Sequence, residues 1–353
     1  MEDWLFVISP NGLGHFKRVT GLVDHMIQII PNRHFHIFCA EWQLNRMRDE
    51  VWVQGLISSG RVTFHFGYTD LALRWSSNPS DFEGRNLISW IDKVRQNPLL
   101  NSAELVISDN LVEILLLRKD ALLMGSFLWG DVLQHASFNL PAVNDYIQKE
   151  QLLLEEYHPK LLCVQDMVMP YAAERTQVIG LPWFTERVSC TTKKSYPRKR
   201  VGLLPGATPA LREQIESYAK TLAVRDDIDV LFPGSIEGCK NFDFQAETWD
   251  SLDVVICRPG IGTLTDAIKY SVPVLALEEP ENVEISHNAL RVDQLGIGLS
   301  ASIGSYSTLE NKLDQMLQTP QHQQYIDKLM ERPIGGYVAA VQWLSNYVGL
   351  SPQ

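Results

Sequence analysis

The sequence predicts an α/β protein built as two successive units, each a parallel sheet covered by helices. Three observations carry this. Short apolar runs alternate with amphipathic stretches along the chain, the pattern of buried parallel strands and their crossover helices. At 353 residues the chain has room for about two domains of roughly 150 residues each. Each half also carries a glycine-bearing turn between a strand and a helix.

In the first half the predicted strands are Trp4 to Ile8, His34 to Cys39, Val62 to Phe66, Glu104 to Ile107, Ala121 to Met124 and Leu161 to Val164. Between the first two, Phe16, Val19, Leu22, Val23, Met26, Ile27 and Ile30 recur at helical spacing while Lys17, Arg18, Asp24 and Gln28 face away. Pro31 and Asn32 end that helix. In the second half the strands are Val201 to Leu204, Val230 to Phe232, Asp253 to Cys257 and Val274 to Leu277. A last apolar helix runs from Tyr337 to Val348. The boundary is placed in 184–200, where TTKKSYPRKR (Thr191 to Arg200) is polar, carries a proline and has no apolar period. The same basic stretch could instead be a patch for phosphate or anionic lipid, though charge runs are usually solvated faces.

Hydrophobic residues make up 45% of the chain and charged residues 21%, which excludes disorder and collagen-like repeats. The net charge of −11 repels phosphate backbones and anionic membranes, so no nucleic-acid partner is expected. Cys39, Cys163, Cys190, Cys239 and Cys257 are odd in number, far apart and outside zinc spacing, which fits a reducing cytoplasm. MEDWLFVISP lacks the regions of a signal peptide, and the richest apolar stretch, Leu111 to Trp129, is broken by Glu113, Arg118, Lys119 and Asp120. No membrane span is expected, while a peripheral membrane contact stays open.

Two segments carry chemistry. In FVISPNGLGHFKRV the strand runs into Asn11, Gly12, Leu13 and Gly14, and a helix follows. Glycines there allow close backbone approach, and the helix N-terminus offers free amides to an anion or polar ligand. A dinucleotide fingerprint fails, because its third glycine would fall on Lys17. His15 stands where a general base could project beyond the strands, and equally where a helix-start histidine could sit in water. In SLDVVICRPGIGTLTDAIKYSVPVLAL a buried strand meets Arg258, Pro259, Gly260, Ile261, Gly262 and Thr263 before a helix. The amides of Gly262 and Thr263, the Thr263 hydroxyl and the Arg258 charge could hold a diphosphate, and Asp266 could accept ribose hydroxyls. The alternative is an ordinary turn with Thr263 as helix cap.

NGLGHFKRV resembles the GxGH-xx-R opening of nucleotide-sugar glycosyltransferases of the GT-B fold, and RPGIGTLTDAIKYSVPVLALEEP resembles their donor-binding segment. Relatives in that group include the lipid-linked GlcNAc transferase of peptidoglycan synthesis and the plant UDP-glycosyltransferases. The resemblance implies two Rossmann-like domains facing a cleft. The acceptor domain would span 1–183 and the donor domain 201–332, with a closing helix in 333–353 that returns to the first. It makes His15 the base on the acceptor hydroxyl, and Gly14, Gly260, Gly262 and Thr263 donor-binding, with Arg258 in place of a histidine. Asp266 becomes the ribose-binding acid. Aligning ENVEISHNALRVDQLGIG on Asn288 and Ala289 puts Glu284 on the sugar-binding acid and Ile285 where a glutamine is usual.

In the plant members an aspartate at the end of the matching strand orients the histidine, which assigns Asp109 of ELVISDN as its partner. Helix capping by Ser108, Asp109 or Asn110 is the local alternative. Trp129 and Asp131 either line the acceptor side or belong to the core. The expected activity is inverting, metal-independent transfer from a nucleoside-diphosphate sugar, UDP-linked, to a hydroxyl on a small or lipid-linked acceptor. It needs no cofactor beyond that co-substrate. A hydrolase, an epimerase and a non-catalytic sugar-nucleotide-binding protein remain open on the same fold.

Overall fold

Glu2–Ile8 (β1) is a strand whose last five residues are all buried, and such a run settles only in the middle of a sheet. In the computed structural model, which describes residues 2–188, 196–206, 209–302 and 304–350, it does so. The first sheet also contains β2 (Arg33–Phe38), β3 (Val62–His65), β4 (Leu105–Asp109), β5 (Leu122–Met124), β6 (Lys160–Val164) and β7 (Gln177–Leu181). Their order is β3-β2-β1-β4-β5-β6-β7, with all neighbours parallel. The chain winds from β1 outward through β2 and β3, then returns to the other side of β1 as β4. A sheet wound this way opens a crevice at the C-terminal ends of the two strands where the winding reverses. The register places Ile8 beside Asp109, so those two ends are level.

The second sheet contains β8 (Lys199–Leu204), β9 (Ile228–Phe232), β10 (Lys240–Asn241), β11 (Val254–Cys257), β12 (Val274–Glu278) and β13 (Gly298–Ser302). The order β10-β9-β8-β11-β12-β13, again parallel throughout, puts the reversal between β8 and β11, where Leu204 lies beside Cys257. The fold class is therefore α/β with two parallel sheets. One unit runs up to Phe184 and resumes at Gly335; the other spans Thr185 to Ile334.

Helix α1 (Gly12–Ile29) buries Phe16, Val19, Leu22, Val23 and Met26 along one stripe, as its periodicity predicts. The closing helix Gly336–Tyr347 belongs to the same unit and buries Ala340, Val341 and Leu344. Its Gly336 N–H donates to the Trp183 carbonyl at 2.8 Å. Tyr337 stacks on His25 of α1, with centroids 4.7 Å apart, and lies against the backbone of Gly21 where a Cβ would have to stand.

Three strands went unpredicted. β7 and β10 are edge strands with largely exposed or half-exposed residues, and β13 is the small-residue run GLSAS at the other edge. Lys199 and Arg200, assigned from the sequence to the linker, lie in β8. Residues 189–195 of that linker, Cys190 among them, lie outside the described residues.

Candidate active site

β1 ends at Ile8, and α1 begins after a turn in which Asn11 stands at the N-cap. The Asn11 side chain does not cap the helix. It donates to the Leu73 carbonyl at 2.5 Å and accepts from the Trp75 N–H at 2.7 Å, tying the loop after β3 to the start of α1. Gly12 takes φ +73, which a side-chain-bearing residue rarely adopts. These contacts fix the first turn of α1, from which His15 and Arg18 project three residues apart on one face.

Both reach Asp109 at the end of β4. His15 Nδ1 meets Asp109 Oδ1, while Arg18 donates to Oδ2 from Nε at 3.0 Å and from Nη2 at 2.7 Å. Arg18 Nη2 also donates to Asn110 Oδ1 at 3.1 Å, and Asn110 Nδ2 donates to the Phe127 carbonyl at 2.6 Å. The Phe127 ring stands edge-on to the imidazole with centroids 6.3 Å apart. The Asp109 side chain is 0% exposed, against 12% for His15 and for Arg18. Burial alone would push the Asp109 carboxyl up, but the Arg18 guanidinium and then the His15 ring outweigh it and hold the group below the usual carboxylate range.

Asp109 is therefore engaged with His15 and Arg18 rather than capping a helix, and the Ser108 hydroxyl donates to the Leu111 carbonyl at 2.7 Å. His15 is a mostly buried, bonded histidine rather than one free in water. Trp129 and Asp131 are core residues. Trp129 packs edge-to-face on Phe127 at 4.9 Å, and Asp131 pairs with His135 at 3.1 Å.

The second site lies where β11 ends. Gly260 is the N-cap of the helix Ile261–Lys269, whose first internal bond runs from the Leu264 N–H to the Gly260 carbonyl at 3.0 Å. The N–H groups of Ile261, Gly262 and Thr263 precede that bond and point out of the helix N-terminus, the natural seat for an anion. Thr263 sits in the first turn rather than at the cap. Arg258 Nε donates to Glu279 Oε2 at 2.7 Å. The Arg258 stem packs against Gly206, where φ is +70 and a Cβ would lie 3.1 Å from Arg258 Cδ. Asn288 is buried, donates to the Pro259 carbonyl at 2.9 Å, and its Oδ1 has no hydrogen-bond partner among the described residues.

Asp266 lies half-buried in the second turn of this helix, and Glu284 lies half-buried in the first turn of the helix Val283–Leu295. Ile285, beside it, is buried in the core. Gly14 is exposed and belongs to the first turn of α1 in the first unit, whereas Arg258, Gly260, Gly262, Thr263, Asp266 and Glu284 all belong to the second. Sequence reasoning missed Gly206 and Glu279, and it named Asn11, Asn110 and Arg18 without the parts they play here. Arg18 is the arginine of the GxGH-xx-R pattern, three residues on from His15 along a helix. Among the described residues no group of three or more His, Cys, Asp or Glu could hold a metal ion, and no helix is long and apolar enough to cross a membrane.

No family model matches the chain, and none of the curated proteins matches it. Solved structures do. The glycotransferase of kitacinnamycin superposes with a TM-score of 0.65 at 12% identity, covering 98% of each chain. The spinosyn forosaminyltransferase SpnP gives 0.64 at 15% identity, covering 98% of this chain and 99% of its own. The glycosyltransferase VinC, solved in complex with dTDP, gives 0.60 at 16% identity over 98% and 99%. These neighbours are antibiotic glycosyltransferases of the GT-B type, and the likeness, end to end at such low identity, shows that this chain shares their two-sheet fold.

Proposed function

We propose that this protein is a metal-independent, inverting glycosyltransferase that moves a sugar from a nucleoside diphosphate, UDP by sequence resemblance, to a hydroxyl on an aglycone. The observation that carries the proposal is the His15–Asp109 contact at the reversal point of the first sheet, where a ligand crevice forms. With its Nδ1–H given to Asp109, the neutral imidazole presents Nε2 as a proton acceptor. Nε2 takes the acceptor O–H proton, the oxygen bonds to the anomeric carbon, and the bond to the diphosphate breaks. Attack opposite the leaving group inverts that carbon.

The departing diphosphate carries the developing negative charge. Arg258 and the amides of Gly262 and Thr263 meet it, with the Thr263 hydroxyl as a further donor. Asp266 accepts the ribose hydroxyls and Glu284 those of the sugar, and Gly14 is the further donor-binding position that the sequence resemblance implies. Arg258, held in place by Glu279, and the helix amides are the donors this reading gives the diphosphate, and it calls on no cofactor beyond the sugar nucleotide. The resemblance to the lipid-linked GlcNAc transferase leaves hexosyl and N-acetylhexosaminyl donors both to be tried, and dTDP in the VinC structure adds thymidine nucleotides. The described cysteines are all free, in keeping with a cytoplasmic setting.

The test is thermal stabilisation of the full chain by UDP, dTDP, GDP and CMP, followed by release of nucleoside diphosphate from the matching sugar donors with and without hydroxylated aglycones. Acceptor-dependent release is the expected result. Full-rate release to water would make the protein a hydrolase, binding without release a sensor, and stabilisation by none of the nucleotides would overturn the proposal. Arg258→Ala is expected to weaken binding of the stabilising diphosphate about 10- to 100-fold by calorimetry, the loss of one charge-assisted contact of roughly 1.5–3 kcal/mol. Nucleoside binding should change little.

A further inference from the structure

Arg18 is the one charged group in the first site to which glycosyl transfer assigns no part. We propose that Arg18 is a positioning residue that keeps the His15 imidazole neutral and correctly turned, so that it meets the acceptor hydroxyl able to take a proton. This rests on the reading of His15 as the base.

A carboxylate withdrawn from water needs a positive partner. A buried carboxylate with no other counter-charge favours the charged form of a neighbouring ring, and an imidazolium has no lone pair to accept a proton. Arg18 removes that need. Its guanidinium is permanently charged and takes Asp109 Oδ2 through two nitrogens, Nε at 3.0 Å and Nη2 at 2.7 Å, which leaves Oδ1 for His15. Nη2 also lies 3.4 Å from His15 Nδ1. With the Nδ1 hydrogen given to Asp109 the ring nitrogen has no lone pair to offer Arg18, and a permanent positive charge this close opposes a second one on the ring. The guanidinium cannot swing away, because Asn110 holds Nη2 at 3.1 Å and is itself held on the Phe127 carbonyl.

The other titratable groups nearby leave this balance alone. Cys163 of β6 feels the Arg18 charge, but burial pushes its thiol up to about 12, so it stays neutral. Lys17, next to Arg18 on α1, is exposed.

The experiment is an NMR titration of the His15 ring in the full-length protein, assigned by loss of the signal in His15→Asn, for the native chain and for Arg18→Lys, Arg18→Met and Arg18→Gln. Arg18→Met should raise the His15 midpoint by about one unit or more, with the acid limb of kcat/KM moving by the same amount and KM for the nucleotide sugar unchanged. Arg18→Lys, which keeps the charge, should restore most of the native midpoint. Arg18→Gln keeps a donor to Asp109 without the charge and should behave as Arg18→Met does, so it serves if the methionine variant does not fold. A folded, uncharged variant whose His15 midpoint stays native or falls overturns the proposal. Because the midpoint is read without turnover, failure of the native chain to transfer sugar would count against the proposed function and leave Arg18 to be judged by the titration.

Discussion

His15→Ala is expected to lower the turnover of nucleotide sugar about 10²- to 10⁴-fold while leaving nucleoside-diphosphate binding unchanged, because the imidazole acts on the acceptor proton and not on the donor. Asp109→Asn should lose nearly as much activity, since an amide no longer fixes the tautomer that frees Nε2. The two variants separate in stability. Removing the imidazole leaves the Asp109–Arg18 pair intact, whereas Asp109→Asn strips the counter-charge from Arg18, whose side chain is only 12% exposed. Breaking a buried pair by removing one partner costs about 3–5 kcal/mol, so Asp109→Asn should melt well below His15→Ala. Loss of activity in the double variant should be much less than the product of the single losses, because the residues act as one unit. Turnover in His15→Ala close to native, with folding confirmed, would take His15 out of the reaction.

The second large effect is on stability against pH, and it comes from two acids that the chemistry does not use. Glu113 and Glu150 are both buried in the first unit, near the Tyr146 hydroxyl. Burial pushes Glu113 up to about 7 despite the weak approach of the Trp90 indole and Tyr146. Burial likewise pushes Glu150 up to about 8, although its Oε1 accepts from the Gly130 N–H at 2.9 Å. Both carboxyls thus sit above their unfolded value of 4.5. Groups raised in this way contribute stability that is complete below the unfolded value and is lost as pH rises through the folded one. The loss should flatten out above about pH 8.

Histidine works in the opposite sense and at lower pH. Burial and the neighbouring His36 and His34 lower His65 to about 4, so its contribution is lost as pH falls below about 6.5. Between about pH 6 and 8 the glutamates should therefore dominate, and the denaturant-extrapolated stability should drop by about 3 kcal/mol. Glu150→Gln and Glu113→Gln should each flatten part of that slope. A native slope in both variants would show that these carboxyls are not the groups responsible.

The fold was legible where burial is two-sided. Trp4 to Ile8, Val201 to Leu204 and Asp253 to Cys257 are almost uninterrupted apolar runs, and each lies at the middle of its sheet. Gln177–Leu181 and Gly298–Ser302 were not, since an edge strand is held by one neighbour's backbone and its side chains need not be apolar. At the site, the glycine turns and the pairing of His15 with Asp109 came through. Position at a strand end and a strand-to-helix turn are local facts, and the register of β1 on β4 makes them neighbours. Arg18 read as a residue on the solvent face of an amphipathic helix. Its true surroundings are set by Asp109 and Asn110, which stand 91 and 92 residues further along, beyond what helical periodicity can report.

The closing helix has a consequence for how the protein is made. Gly336–Tyr347 fills a face of α1 near Gly21 and His25, so the first unit is split in sequence, and this piece of it leaves the ribosome only after the whole of the second unit. Domains generally form as their residues emerge. Here the stretch from Thr185 to Ile334 is out before that helix is, and the half that carries His15 must wait, partly unsealed, for Gly336–Tyr347 to follow.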